Sequence, residues 1–283
     1  MNEKYSRKPY AKKSFGQNFL VDPNQIRKII EALDPQTDET IIEIGAGRGA
    51  LTEQILDSGA NVFAIEFERE MVHVLQKRFG NLKNFQLIPQ DALQTDFSDL
   101  INPNSEIRNP KSTKLVANLP YNISTAILQK LIEQREVFSE MILMFQREVV
   151  ERIIAKAGNK ERGFLSVLTE AYLQTEKLFD VPPKAFRPSP KVWSAVMRLI
   201  TFECDEILSN NKDLFREIVS AGFAQKRKTI LNNLKNAPSD LKTKIGGAES
   251  LLSKTQIEPS RRAETLTLEE WLQILRVSVD PNL

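Results

Sequence analysis

Over the first two-thirds of the chain, short apolar segments alternate with segments whose apolar residues recur every three or four positions. The short segments are typical of β-strands buried on both faces, and the longer spacing is typical of helices. The predicted strands are 40–44, 61–65, 84–88, 114–117 and 141–145. Helical spacing follows four of them, as at Leu51 and Ile55 after the first. This order predicts an α/β, Rossmann-like fold with a mostly parallel sheet.

The pattern changes in the last third of the chain. Residues 178–181 and 192–202 are predicted strands joined by a Pro-rich loop, and such a late hairpin would add an antiparallel edge to the sheet. Beyond about residue 205, apolar residues such as Leu268, Trp271 and Leu272 recur only at helical spacing. We therefore predict two domains, residues 1–205 and a small all-helical domain of residues 206–283.

The composition excludes several classes of protein. The 283 residues include one cysteine, Cys204, and one histidine, His73, so an intrachain disulfide framework and a two-histidine metal site are both excluded. We expect no metal. No apolar run reaches the roughly 18 residues of a membrane span, and no apolar stretch follows the basic N-terminus. These features predict a cytoplasmic protein that does not contact a membrane.

Positive charge is clustered, although the formal net charge is only +2. The clusters are residues 1–13, Lys226–Lys228 and Arg261–Arg262. Basic clusters on a nearly neutral protein fit a partner with a phosphate backbone, which is a nucleic acid. For any one cluster alone, solvated surface is the alternative interpretation.

A glycine-rich loop, residues 43–50 (EIGAGRGA), lies between a predicted strand and a predicted helix. Glycines at 45 and 47 allow the backbone to turn sharply and to approach a ligand closely. The loop fits both the dinucleotide fingerprint and the loops of other adenosine-cofactor sites. It therefore does not show which of these cofactors is bound. Glu66 ends the next strand, where a carboxylate can accept both ribose hydroxyls. Asp91 follows the third strand, where it can bind an adenine amino group or simply begin a turn.

Residues 118–121 (NLPY), here called the NLPY loop, follow the fourth strand. Pro120 fixes its own φ and holds Leu119 extended, which makes the loop rigid. The side-chain oxygen of Asn118 and the carbonyl of Leu119 can then both accept hydrogen bonds from one exocyclic amine. Tyr121 offers a ring face on which a flat base can stack. The alternative is an ordinary turn that closes a strand.

Together these motifs resemble the S-adenosylmethionine-dependent amino methyltransferases that modify adenine. Five further segments resemble the ribosomal RNA adenine dimethyltransferases: 14–20 (SFGQNFL), 185–192 (AFRPSPKV), 194–196 (SAV), 223–229 (FAQKRKT) and 262–266 (RAETL). The resemblance covers about residues 12–275. It is strongest to the bacterial 16S ribosomal RNA subfamily, which dimethylates two adjacent adenines near the 3′ end.

The resemblance implies roles for particular residues. The S-adenosylmethionine site would comprise Asn18, Leu20, Gly45, Gly47, Glu66, Asp91 and Asn118. The catalytic residues would be Asn118, Leu119 and Tyr121, and the substrate-binding residues Tyr121, Phe186, Lys226, Arg227 and Lys228, with Phe186 stacking on the second face of the target base. Arg187 and Trp193 stand where we expect Phe and Asp in more typical members.

The implied partner is 16S ribosomal RNA in the small ribosomal subunit, with a role in subunit biogenesis, and we expect a monomer. Three alternatives stay open. A 23S ribosomal RNA methyltransferase of the macrolide-resistance type typically carries Ile in place of Leu119. A nicotinamide dehydrogenase would share the glycine-rich loop, but no acid for hydride chemistry is evident, since His73 lies on a predicted surface helix. A non-catalytic ribosome-assembly factor would keep the fold for RNA binding alone.

Overall fold

The computed structural model of the chain describes residues 18–100 and 113–280. The predicted basic cluster of residues 1–13 and most of the resembling segment 14–20 lie outside them. The described residues form two units. One contains the described residues up to Val150 and Glu176–Thr201, and the other contains Glu151–Thr175 and the described residues from Phe202 on.

Nine strands occur in the described residues. They are β1 (Phe19–Leu20), β2 (Thr40–Ile44), β3 (Asn61–Ile65), β4 (Phe85–Ile88), β5 (Thr113–Asn118), β6 (Glu140–Gln146), β7 (Leu173–Val181), β8 (Phe186–Arg187) and β9 (Ser194–Thr201). Seven of them form one sheet in the order β4-β3-β2-β5-β6-β9-β7. β2 to β6 pair in parallel, whereas β9 runs antiparallel to β6. The predicted mostly parallel sheet with a late antiparallel hairpin is confirmed. β1 and β8 form a separate antiparallel pair, which the pattern did not predict.

Thirteen α-helices complete the described part of the chain. They are α1 (Pro23–Leu33), α2 (Ala50–Asp57), α3 (Arg69–Phe79), α4 (Phe97–Leu100), α5 (Ser124–Glu133), α6 (Arg147–Ile153), α7 (Phe164–Tyr172), α8 (Glu206–Asn210), α9 (Lys212–Gly222), α10 (Ile230–Lys235), α11 (Ser239–Lys244), α12 (Ala248–Lys254) and α13 (Leu268–Val279). Local sequence begins several of them. Asp22 caps α1 by accepting from the amides of Asn24 and Gln25, and Thr267 and Glu270 form a capping box at α13.

The central strand β2 explains why the sheet is parallel and buried. All five of its residues are buried, because helices cover both faces of such a sheet. Its apolar run Ile41, Ile42 and Ile44 therefore lacks the alternation of a half-exposed strand. In a parallel sheet, the carboxyl ends of neighbouring strands meet at one edge, which brings the residues that follow β2, β3, β4 and β5 close together.

The second unit is helical and has its own core. Trp271 is 0% exposed and stacks on Phe223, with the ring centroids 5.7 Å apart. Trp271 is therefore a core residue of this unit. Helix α7 packs on α9 and α13, so residues 151–175 group with the C-terminal helices, whereas the predicted boundary placed them in the first domain. Within the described ranges, no helix combines the length and apolar character needed to cross a membrane.

Candidate active site

The loop after β2 depends on glycine at its centre. Gly47 has φ +56°, a left-handed conformation that costs a residue with a side chain about 1–2 kcal/mol. A Cβ atom there would also lie 3.3 Å from the ring of Phe19. The loop is fixed at its start, because the amide of Gly45 donates to the carbonyl of Ile65 at 2.8 Å. The glycines predicted from the motif therefore let the backbone line a cavity directly.

Glu66 connects this loop to the end of β3. Its carboxylate is 7% exposed and accepts hydrogen bonds from the amides of Gly47 and Glu68, each at 2.9 Å. Removal from water raises the pKa of Glu66, because burial disfavours the charged form, and the amide donors partly oppose this effect. The predicted strand-end carboxylate thus lies directly against the glycine-rich loop.

Asp91 begins a turn and also lines a cavity. Its Oδ1 accepts from the amide of Leu93 at 2.9 Å, which is a turn-initiating contact. The cavity that Asp91 shares with Glu66 has a volume of about 190 Å³. Its other lining includes the apolar side chains Ile44, Ile65, Phe67, Ala92, Leu93, Pro120 and Ile123. A flat, partly apolar group with polar edges fits such a lining.

The NLPY loop begins at the last residue of β5. The Asn118 side-chain Nδ2 donates to the carbonyl of Asn18 at 3.3 Å. Only the NH₂ side of an amide can donate, so this contact leaves Oδ1 as the acceptor of that side chain. A small cavity of about 70 Å³ is lined by Asn18, Phe19, Gly45, Gly47, Glu66 and the four residues of the NLPY loop. The structure thus brings together the predicted amine-binding residues and part of the predicted cofactor site.

Tyr121 is held in place by a partner that sequence reasoning missed. Its hydroxyl lies 2.7 Å from Oγ of Ser194, the first residue of β9. Burial raises the pKa of Tyr121, so the phenol stays protonated near neutral pH. Ser194 belongs to a segment quoted for the resemblance, but no role was assigned to it. Ser194 is buried in the structure, but the sequence alone held no signal of its contact with Tyr121.

The β1–β8 pair places the N-terminal segment beside the Pro-rich loop, with Leu20 opposite Phe186 and Phe19 opposite Arg187. Phe186 is 1% exposed and packs in the core cluster that includes Leu20 and Val181. Its ring offers no accessible face in this structure, so its placement does not fit the predicted stacking role. Leu20, Gly45, Gly47 and Asn118 line a larger cavity of about 590 Å³.

The remaining predicted residues lie in the second unit. Lys226, Arg227 and Lys228 are exposed. Arg261, by contrast, forms an ion pair with Glu270 and donates to the carbonyl of Thr265 at 2.6 Å, so it serves the fold rather than an open basic surface. Among the residues that the structure describes, no cluster of three or more His, Cys, Asp or Glu could hold a metal ion.

Comparison with known proteins shows the family. The family described as "Ribosomal RNA adenine dimethylase" matches residues 9–276. "Ribosomal RNA small subunit methyltransferase A" of Saccharophagus degradans is 38% identical over 264 residues, 93% of either chain. The protein of the same name from a Geobacillus strain is 40% identical over 260 residues, 92% of this chain and 89% of that one.

A solved structure agrees with these sequence comparisons. The crystal structure of a dimethyladenosine transferase from Plasmodium falciparum is similar over 92% of this chain and 98% of that chain, with a TM-score of 0.76 and 25% identity. The match therefore spans both units. The chain belongs to the ribosomal RNA adenine dimethylase family.

Proposed function

We propose that this chain transfers methyl groups from S-adenosylmethionine to N6 of two adjacent adenines near the 3′ end of 16S ribosomal RNA in the small ribosomal subunit, giving N6,N6-dimethyladenine. Family membership and the names of the relatives support this function. The observation that carries it is one cavity that the glycine-rich loop, Glu66 and the whole NLPY loop line together. The proposed acceptor pair for an amine thus adjoins the proposed site for an adenosine cofactor.

The residues present fit S-adenosylmethionine. The cavity shared by Glu66 and Asp91 offers carboxylates for hydroxyl and amino groups and an apolar lining for a base. Gly45 lines all three cavities, so one extended ligand can continue past it toward Asn118. When bound, this cofactor supplies a methyl group already activated by a sulfonium. We infer that Asn18, Leu20 and Gly47 complete its site.

Asn118 and Leu119 would orient the amine rather than deprotonate it. The lone pair of an adenine N6 is delocalised into the ring, which makes the amine a poor nucleophile. Acceptance of its two N–H groups by Oδ1 of Asn118 and the carbonyl of Leu119 would direct the lone pair at the methyl carbon. The bound cofactor would supply the methyl group, its sulfur would keep the electron pair of the broken C–S bond, and the extra proton of the amine would pass to water. An amide is not a base, so positioning supplies the rate.

The target adenine must leave its helix to reach this cavity, since a stacked base is inaccessible. Tyr121 would then support the base from one side. Lys226, Arg227 and Lys228 are exposed and would bind RNA phosphates. We further propose that the helical second unit binds RNA. The role in subunit biogenesis, the monomeric state and the cytoplasmic location stay predictions.

The small-subunit names of the two relatives favour 16S over 23S ribosomal RNA. The test is to map methylated adenines in 16S ribosomal RNA from a strain that lacks the gene, before and after the gene is restored. We expect two adjacent dimethyladenines near the 3′ end only after restoration, and restoration with Asn118→Ala should leave them unmethylated. A 16S pattern that does not change on restoration, or new methylation in 23S RNA instead, would reject the assignment.

A further inference from the structure

Trp193 is an exposed aromatic residue directly beside the machinery that holds Tyr121. Its side chain is 44% exposed. It immediately precedes Ser194, whose Oγ lies 2.7 Å from the Tyr121 hydroxyl. Consecutive Cα atoms are about 3.8 Å apart, so the indole belongs to the residue next to the one that contacts Tyr121 of the NLPY loop.

The backbone of Trp193 is not on a loose loop. Its carbonyl accepts a hydrogen bond from the amide of Arg147 at 2.9 Å, which ties it to the end of β6. The next residue, Ser194, pairs with Gln146 in the β6–β9 ladder. The backbone position of Trp193 is therefore set by the sheet, while much of its side chain faces water.

Positive charge lies against the same ring. The guanidinium of Arg147 is 5.8 Å from the centroid of the Trp193 ring. An indole beside a guanidinium combines a stacking surface with a charge that attracts phosphate, which is the arrangement that sequence-tolerant single-strand binding uses. Stacking of another flat ring on an exposed indole is favourable in water.

We propose that Trp193 stacks on an unpaired RNA base that flanks the target adenine, and so forms a second base platform beside Tyr121. This inference rests on the proposed function for its RNA substrate. Extrusion of the first target adenine into the cavity removes one stacking partner of the adjacent base. Trp193 would give the uncovered face of that base a new stacking surface. It is a substrate-binding residue rather than a catalytic one.

The test compares Trp193→Ala, Trp193→Phe and a matched control, Ile200→Ala. Ile200 lies near the other end of β9, is 37% exposed and pairs with Glu140. Binding of each variant to small ribosomal subunits from a strain lacking the gene is measured by sedimentation, and methyl transfer is measured at saturating subunit concentration.

We expect Trp193→Ala to weaken binding about five- to hundredfold, the range for loss of one base–aromatic stack, with little change in turnover at saturation. Trp193→Phe should retain most of the binding, because it keeps a ring, and Ile200→Ala should bind like the wild type. Equal binding by Trp193→Ala and the wild type, or equal loss in Ile200→Ala, overturns the inference. A wild type that binds subunits but transfers no methyl groups refutes the proposed function instead, and the binding series still decides the role of Trp193.

Discussion

Oε2 of Glu66 lies 2.9 Å from the backbone nitrogen of Gly47, so a side chain at the end of β3 holds the loop that follows β2. The second oxygen of the same carboxylate accepts from the amide of Glu68 at 2.9 Å. One buried group thus fixes two backbone segments of the proposed cofactor site. Ribose hydroxyls would donate hydrogen bonds to the lone pairs of the Glu66 carboxylate that the two amides do not use.

Glu66→Gln should weaken binding of S-adenosylmethionine by about ten- to hundredfold. One carboxylate oxygen becomes an NH₂ group that cannot accept from an amide, and a hydrogen bond to a charged group contributes roughly 1.5–3 kcal/mol. Isothermal titration calorimetry measures the change. Glu70→Gln, at an exposed position in the first turn of α3, is the control. Affinity equal to that of the wild type in Glu66→Gln would show that this carboxylate does not contact the cofactor.

Gly49→Ala should lower the free energy of unfolding by roughly 2–5 kcal/mol. Gly49 has φ +81°, and an added Cβ would lie 2.4 Å from the Phe79 ring, so backbone strain adds to overpacking. The control is Gly158→Ala, where φ is +87° but the new methyl would meet no described atom within 4 Å. That variant should lose only about 1–2 kcal/mol. Urea unfolding compares the two, and equal losses would exclude a contribution from the clash.

Stability should fall as the pH rises between about 4.5 and 7, because of Glu43. Its pKa is raised from 4.5 to about 7, first by burial and then by the nearby charge of Glu66, against the hydrogen bond from Thr52. In that window the folded state holds a proton that the unfolded state has lost. Raising the pH therefore favours unfolding, with a total effect on the order of 3 kcal/mol.

Glu43→Gln removes this dependence, since a glutamine side chain does not titrate. Urea unfolding of both proteins at intervals from pH 4.5 to 8 measures it. The stability of Glu43→Gln relative to the wild type should increase across the window and level off above pH 7. Parallel profiles would mean that the carboxyl of Glu43 titrates at its ordinary pKa.

Tyr121→Phe and Tyr121→Ala separate the ring from the hydroxyl. Tyr121→Phe loses only the contact with Ser194, which contributes about 0.5–1.5 kcal/mol, so methyl transfer should fall less than about tenfold. Tyr121→Ala also loses the stacking surface, so its methyl transfer should fall about five- to hundredfold further. Ser194→Ala tests the same hydrogen bond from its other side. Equal damage from Tyr121→Phe and Tyr121→Ala would assign the role to the hydroxyl instead of the ring.

Most of the fold, and the sheet edge at which the site lies, could be predicted from local sequence. Strand β2 and the glycines after it are adjacent in the chain, and parallel pairing places Glu66, Asp91 and Asn118 at one sheet edge without further information. Contacts between residues that are far apart in the chain could not be predicted from local sequence. The Tyr121–Ser194 contact joins residues 73 positions apart, and a serine at a strand start does not reveal its partner.

The same limit explains two differences between prediction and structure. The resemblance implied a stacking role for Phe186, but pairing of β8 with β1 buries this residue. Helix α7 has the apolar spacing of any packed helix, and the spacing does not state which neighbour it packs on. It packs on α9 and α13, so residues 151–175 group with the second unit.

The central claim is that Asn118 accepts a hydrogen bond from the N6 amine of adenine beside the bound cofactor. The most direct measurement is the turnover of Asn118→Ala on unmodified small ribosomal subunits at saturating S-adenosylmethionine, with Asn236→Ala, at an exposed position after α10, as the control. The account predicts a loss of about a hundredfold or more in Asn118→Ala, since an amine without its acceptor is no longer aligned, with an unchanged unfolding midpoint and an unchanged control. Turnover by Asn118→Ala at the rate of the wild type would contradict it.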